Sequence, residues 1–337
     1  MKGAFLVNPN DIRLLEQEVP EPKYGEIRIK LNQIGICGSD VHLFLGHRKL
    51  DKATIIGHEG VGIIDKIGEG VEGRRIGEKV VIEPNFPCFK CKHCMSGHGN
   101  ICINKRILGI NEAGCFAEYV VIPANFGWEI PSEISDADAV TIEPTAVAYH
   151  ALMASKAKPG DTIAILGLGA IGLLLTHLAL RLGYKVYVTE INQKKLNKAV
   201  EMGAIPAVAV GNLEEQSLVL EKIWLENDVC AVFECAGSAF TASLATDAAP
   251  RGSEIVLVGL SEKNATFRPL KIAREGITIV PSIIYDHSFD FKRVIQLIVS
   301  KIIQPSMIIS SYEPLSNISA ALERAAQGNE SKIVITV

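Results

Sequence analysis

The chain has 337 residues, of which 34 are basic and 38 acidic, giving a formal net charge of −4. Both signs are scattered along the chain rather than gathered in blocks, which excludes the basic footprint of a nucleic-acid binder. The length suits two domains, each large enough to bury a core, and the opening Met-Lys-Gly-Ala-Phe-Leu-Val-Asn-Pro-Asn shows no apolar signal segment, so a cytoplasmic protein with reduced thiols is expected.

The first 150 residues are rich in glycine and proline and hold short β-branched runs at 26–31, 60–65 and 78–82, the pattern of a compact β-rich domain. Two segments there carry metal-ligating residue types: Gly35-Ile-Cys37-Gly-Ser39-Asp40-Val-His42 and Gly57-His58-Glu59-Gly-Val-Gly62. On the residues alone, a ligand set and a group of ordinary buried polar side chains are both open readings. The next segment is more specific. Cys88, Cys91, Cys94 and Cys102 form a C-x2-C-x2-C-x7-C pattern on one loop-like stretch. Four such thiols in a reducing compartment point to a closed zinc site. An iron–sulfur cluster of the ferredoxin kind would end in C-x3-C-P, whereas the last gap here is seven and Ile103 follows. His93 and His98 lie inside the stretch, but four thiolates already fill a tetrahedron.

From Gly160 the texture changes. Apolar strand-like runs at 162–166, 185–189, 207–210, 229–233 and 254–258 alternate with helical stretches such as 194–202, which is the mark of a parallel α/β sheet. The uncharged run 163–180 has about the length of a membrane span, but three glycines interrupt it and His177 sits in its second half, so a buried strand plus helix is expected and no membrane contact. Within it, Gly167-Leu-Gly169-Ala170-Ile171-Gly172 is a G-x-G-x-x-G between a predicted strand and a predicted helix, the context for a dinucleotide pyrophosphate. About 20 residues on, Glu190 ends the second strand, where an acidic side chain accepts hydrogen bonds from an adenosine ribose and repels a 2′-phosphate. NAD is therefore expected over NADP, with Lys194 and Lys195 close enough to weaken that preference. A strand-like run at 277–280, amphipathic helices at 291–301 and 318–326, and a last strand at 332–336 complete the chain.

Taken in order, these motifs resemble the zinc-dependent medium-chain dehydrogenases over nearly the whole chain. The G-H-E-x-x-G of that family appears as Gly57–Gly62, its G-x-C-G-[ST]-D as Gly35–Asp40, and its four-cysteine lobe as Cys88, Cys91, Cys94 and Cys102. The resemblance implies an α/β protein: a GroES-like β-rich catalytic domain from 1–148 and 285–337, and a Rossmann doubly wound parallel sheet over 149–284 that binds NAD. It implies two zinc ions per chain, one structural in the cysteine lobe and one catalytic on Cys37 and His58, with Glu59 and Glu143 as direct or water-mediated ligands. It gives Ser39 the substrate hydroxyl proton, passes that proton through the cofactor ribose to His42, and has Asp40 orient His58.

Glutamate at 143, together with Glu59, looks like the sorbitol, butanediol and threonine dehydrogenase branch. The segment Glu143-Pro-Thr-Ala-Val-Ala-Tyr-His-Ala151 is closer to the sorbitol and butanediol enzymes than to the threonine enzymes. Leu43 replaces the aromatic that usually follows the histidine, and no arginine precedes Tyr285, so a long hydroxylated substrate loses two contacts. The implied activity is interconversion of a secondary alcohol of a small diol, polyol or sugar derivative with its ketone. L-Threonine oxidation is the alternative, and a non-catalytic binding or structural descendant is the alternative of another class. The resemblance also implies a homo-oligomer, tetramer or dimer, paired through the edge strand near 277–282.

Overall fold

The computed structural model describes residues 1–48 and 50–337, and the chain divides into two compact units, Met1–Glu143 with Asp286–Val337, and Pro144–Tyr285. The first crossing between units falls inside the helix Ile142–Ala154.

The hub of the first unit is the strand Glu26–Gly35. Ile27, Ile29 and Leu31 alternate with more exposed neighbours, so one face of the pleat enters the core beside Phe44, Ile64, Phe116 and Leu322. The hub pairs antiparallel with Glu59–Ile67, with Tyr119–Pro123 and with the last strand, Ile333–Thr336. Two registers matter for the site: Gly35 lies opposite Glu59 on one side and opposite Val334 on the other. The segment that returns from the second unit is fastened at once, because Nδ1 of His287 lies 2.9 Å from the buried Glu83 carboxylate and the ring stacks on Phe126.

The second unit is a six-stranded parallel sheet in the spatial order Ile205–Pro206, Lys185–Thr189, Thr162–Leu166, Val229–Glu234, Glu254–Leu257, Thr278–Pro281. Numbered along the chain this is 3-2-1-4-5-6, the doubly wound order whose switch point lies between Thr162–Leu166 and Val229–Glu234. The predicted α/β class and its parallel sheet are thus present. One run is misplaced: the third strand is Ile205–Pro206, not 207–210. Among the described residues its one neighbour is Lys185–Thr189 and the ladder stops at Pro206, leaving the β-branched Val208 and Val210 exposed on an open edge. The deceptive apolar run resolves into the strand Thr162–Leu166 and the helix Ala170–Arg181, and no helix among the described residues is long and apolar enough to cross a membrane.

His177 lies on that helix, where burial, aided by Arg181, pushes its pKa down to about 4. The folded state keeps the ring neutral while the unfolded chain takes up a proton near pH 6.5. The stability it contributes is therefore complete above pH 6.5 and falls as the pH drops toward 4. His177→Gln is expected to narrow the gap between urea midpoints at pH 7 and pH 5 relative to the unsubstituted protein. An unchanged gap would show that His177 does not carry this dependence.

Candidate active site

Cys37 is the N-cap of the helix Gly38–Phe44, and Asp40 at the third helical position closes a capping box by accepting the Cys37 N–H at 2.9 Å. The same buried carboxylate reaches the second segment. Its other oxygen accepts the Gly57 N–H at 3.2 Å and lies 3.3 Å from Nδ1 of His58, so Asp40 knits the two segments together. Gly57 has φ 90°, a left-handed turn suited to glycine, and a Cβ there would meet the Phe116 ring at 2.9 Å. That turn places His58 just ahead of the strand Glu59–Ile67. Neighbours on a strand point to opposite faces, and His58 and Glu59 reach one point because His58 stands outside the strand.

Ligand atoms of Cys37, His58 and Glu59 all lie within 4.8 Å of one another. With Nδ1 of His58 committed to Asp40, Nε2 is left for a metal. The electrostatics call for a cation. Burial opposes protonation of His58, yet the Asp40 carboxylate and the Cys37 sulfur hold its pKa well above the ordinary histidine value. A thiolate, an imidazole and a carboxylate, gathered where positive charge is favoured, fit zinc. Glu143, in the first turn of Ile142–Ala154, falls outside the 4.8 Å group. It is buried, and that burial pushes its carboxyl up to about 7 against the opposing pull of His58, with Glu59 adding to the rise. Ser39 is half-buried in the first turn of Gly38–Phe44, and His42 follows three residues later on the same side, exposed.

The four sulfurs of Cys88, Cys91, Cys94 and Cys102 also lie within 4.8 Å of one another. Separations of 3.5 Å (Cys91–Cys94), 3.9 Å (Cys91–Cys102) and 4.0 Å (Cys88–Cys94) bracket the roughly 3.8 Å edge of a tetrahedron with 2.3 Å Zn–S bonds. Backbone amides of Lys90 and Cys91 lower the Cys88 thiol to about 6, whereas burial, with the neighbouring Cys91 and Cys102, raises Cys94 to about 12. His93 and His98 are not in the cluster.

In the second unit Gly167 carries φ 91° and a Cβ there would strike Ala236 at 2.6 Å, while a Cβ on Gly172 would strike the Gly167 carbonyl at 2.0 Å. Gly169 differs. A Cβ on it would meet nothing within 4 Å, so its backbone borders open space, and as N-cap it supplies no side chain to the helix Ala170–Arg181. The free N–H groups around Ala170 and Ile171 and the positive helix end therefore face a cradle suited to an anion such as a pyrophosphate. Glu190 accepts the Leu168 N–H at 2.6 Å and those of Ile191 and Asn192 at 2.9 Å each, which fixes its carboxylate beside the glycine turn. Lys195 sits in the first turn of Gln193–Met202, its N–H bonded to the Asn192 side chain at 3.3 Å.

The alcohol dehydrogenase GroES-like domain family matches residues 23–132, and the zinc-binding dehydrogenase family matches residues 170–300. Sorbitol dehydrogenase of Bacillus subtilis is 31% identical over 97% of this chain and 94% of its own length. The chain belongs to the zinc-dependent medium-chain dehydrogenase family. Two solved structures are similar from end to end. The rspB alcohol dehydrogenase of Escherichia coli CFT073, complexed with NADH, has a TM-score of 0.91 and 30% identity, covering 100% of this chain and 99% of that one. A zinc-binding dehydrogenase of Sinorhizobium meliloti 1021, bound to NADP, has a TM-score of 0.89 and 28% identity, again over 100% and 99%.

This dehydrogenase has one feature at the site that no motif announced. Lys332, buried just ahead of the last strand, donates from Nζ to both oxygens of Glu59, at 2.7 and 2.5 Å, and to the Ile36 carbonyl at 3.1 Å. Register explains it: Glu59, Gly35 and Val334 lie side by side, so Lys332, two residues before Val334, points to the same face. Gly35 leaves the way open, since a Cβ there would sit 2.0 Å from a Glu59 oxygen. Burial works against the charge on Lys332, but Glu59 and the Cys37 sulfur hold its pKa above the ordinary lysine value. The dehydrogenase thus pairs Glu59 with a buried lysine at the same place where Glu59 meets Cys37 and His58.

Proposed function

We propose that this chain oxidises the secondary hydroxyl of a small diol, polyol or sugar derivative to the ketone, with NAD as hydride acceptor, and catalyses the reverse reaction with NADH. The observation that carries this reading is the Cys37, His58 and Glu59 donor set: three protein ligand atoms lie within 4.8 Å of one another, and a zinc held by three protein donors would have room for a substrate oxygen. A zinc held there would supply Lewis acidity toward the hydroxyl, and a bound nicotinamide would supply the hydride acceptor. The chain's own residues do the rest. Cys37, His58 and Glu59 hold the metal, and Asp40 fixes the tautomer and aim of His58. Glu143 stands near as an exchangeable carboxylate. Ser39 accepts the hydroxyl proton, and His42, exposed one turn on, delivers it to solvent. The cysteine lobe would hold a second zinc with four protein thiols, and so would clamp its loop.

The Gly167–Gly172 turn with Ala170 and Ile171 receives the pyrophosphate, and Glu190, flanked by Lys195, receives the adenosine ribose. Glu190→Ala is expected to weaken NAD by about tenfold or more, as loss of a charged hydrogen-bond acceptor does, and to improve NADP relative to NAD. An unchanged preference, measured as the ratio of kcat/KM values, would remove Glu190 from cofactor selection. The exposed strand Thr278–Pro281 at one end of the parallel sheet is the surface we assign to a homo-oligomer.

The substrate is tested by comparing kcat/KM for 2,3-butanediol, sugar alcohols, sugar acids and L-threonine with NAD. A diol or polyol is expected to lead. A lead for threonine favours the threonine dehydrogenase reading, and equal failure of all four groups contradicts the substrate class.

A further inference from the structure

The helix that carries Cys37, Ser39 and His42 ends in a Schellman turn. Leu45 is its C-cap, and Gly46 follows with φ 76°. The Gly46 N–H donates to the Leu43 carbonyl at 3.0 Å and the His47 N–H donates to the His42 carbonyl at 3.0 Å, the paired bonds that define the motif. That geometry folds the second residue after the cap back over the residue three before it, and the two positions ordinarily hold apolar side chains in contact. Here they hold His42 and His47. Their Nδ1 atoms lie 3.2 Å apart and their ring centroids 5.5 Å apart, and both rings are exposed. Two histidines at a contact that the motif builds for hydrocarbon gain little by burial. They gain a hydrogen bond between ring nitrogens.

We propose that His47 is the outer partner of His42 in the proton relay, acting through His42 as the residue that positions it and receives its proton. The inference rests on the reading that His42 ends the relay from the substrate hydroxyl. In the hydrogen bond one Nδ1 carries the proton and the other accepts it. With the proton on His42, its Nε2 keeps a lone pair to accept the arriving proton. As that proton binds Nε2, the Nδ1–H of His42 moves to Nδ1 of His47, and His47 releases its Nε2–H to water. One proton enters the pair and one leaves. Solvent, which reaches both rings, then restores the starting tautomers.

Two variants separate relay from structure. His47→Leu puts an apolar side chain where a Schellman turn prefers one, and His47→Ala opens space for added imidazole. Both are expected to fold normally and to lower kcat for alcohol oxidation by about tenfold at neutral pH, at the low end of what proton-transfer groups supply, with imidazole restoring the alanine variant. Independently of turnover, nitrogen NMR of the protein without substrate or cofactor is expected to show His42 as the Nδ1–H tautomer and to show it shifting to Nε2–H in His47→Leu. Full activity in His47→Leu, with His42→Ala impaired, would overturn this inference and leave the reading of His42 intact. Full activity in His42→Ala would overturn both.

Discussion

Replacing Cys37 with serine is expected to lower kcat/KM for the alcohol about a thousandfold, the loss of roughly 4 kcal/mol of Lewis-acid assistance, while the secondary structure stays intact. The two halves of that expectation have separate causes. Serine is among the preferred N-caps, so the helix Gly38–Phe44 keeps its start, and Asp40 still accepts the backbone N–H at position 37. The serine hydroxyl does not ionise as a thiol does, so the zinc position loses its anionic sulfur. Far-UV circular dichroism and steady-state kinetics check the two halves. A kcat/KM within about threefold of the unsubstituted enzyme would remove Cys37 from the metal site.

Lys332→Met is the second large effect. It leaves the Glu59 carboxylate, which is 1% exposed, without its cation. Breaking a buried pair by removing one partner costs about 3–5 kcal/mol, because the remaining charge is stranded. The metal-free protein is therefore expected to lose about that much in denaturant titration. Adding Glu59→Gln to Lys332→Met should recover most of the loss, since no charge then remains to be compensated. Zinc should also restore part of it in the single variant by supplying the missing cation. A loss below about 1 kcal/mol would mean that Glu59 finds another partner and that the pair does not organise the site.

Much of the second unit was legible in the sequence. The strands Thr162–Leu166 and Lys185–Thr189 begin and end where apolar runs meet turn residues, because central parallel strands are buried on both faces and their composition is dictated throughout. The misread edge at 207–210 shows the limit of that signal: Val208 and Val210 have strand-like side chains, but an edge strand ends where its single neighbour does. The cysteine lobe was legible because its four cysteines fall within fifteen positions of one another, so spacing alone reports geometry.

The site around Cys37 was legible only as two fragments. What joins them is the reach of Asp40 to both Cys37 and His58, together with the strand register around Gly35. Lys332 was invisible for the same reason: it meets Glu59 across 273 positions, and its local sequence is that of any lysine opening a strand. The placing of Glu143 outside the group of Cys37, His58 and Glu59 could not be read from Glu-Pro-Thr, since the motif fixes the residue type but not its distance.

We assign one zinc to the conspicuous cysteines and another to the quieter Cys37, His58 and Glu59. Zinc analysis of the purified protein by atomic emission tests this assignment most directly. The expected result is about two zincs per chain, falling to about one in His58→Ala while the four-cysteine lobe stays loaded. About one zinc in the unsubstituted protein, unchanged in His58→Ala, would contradict the account.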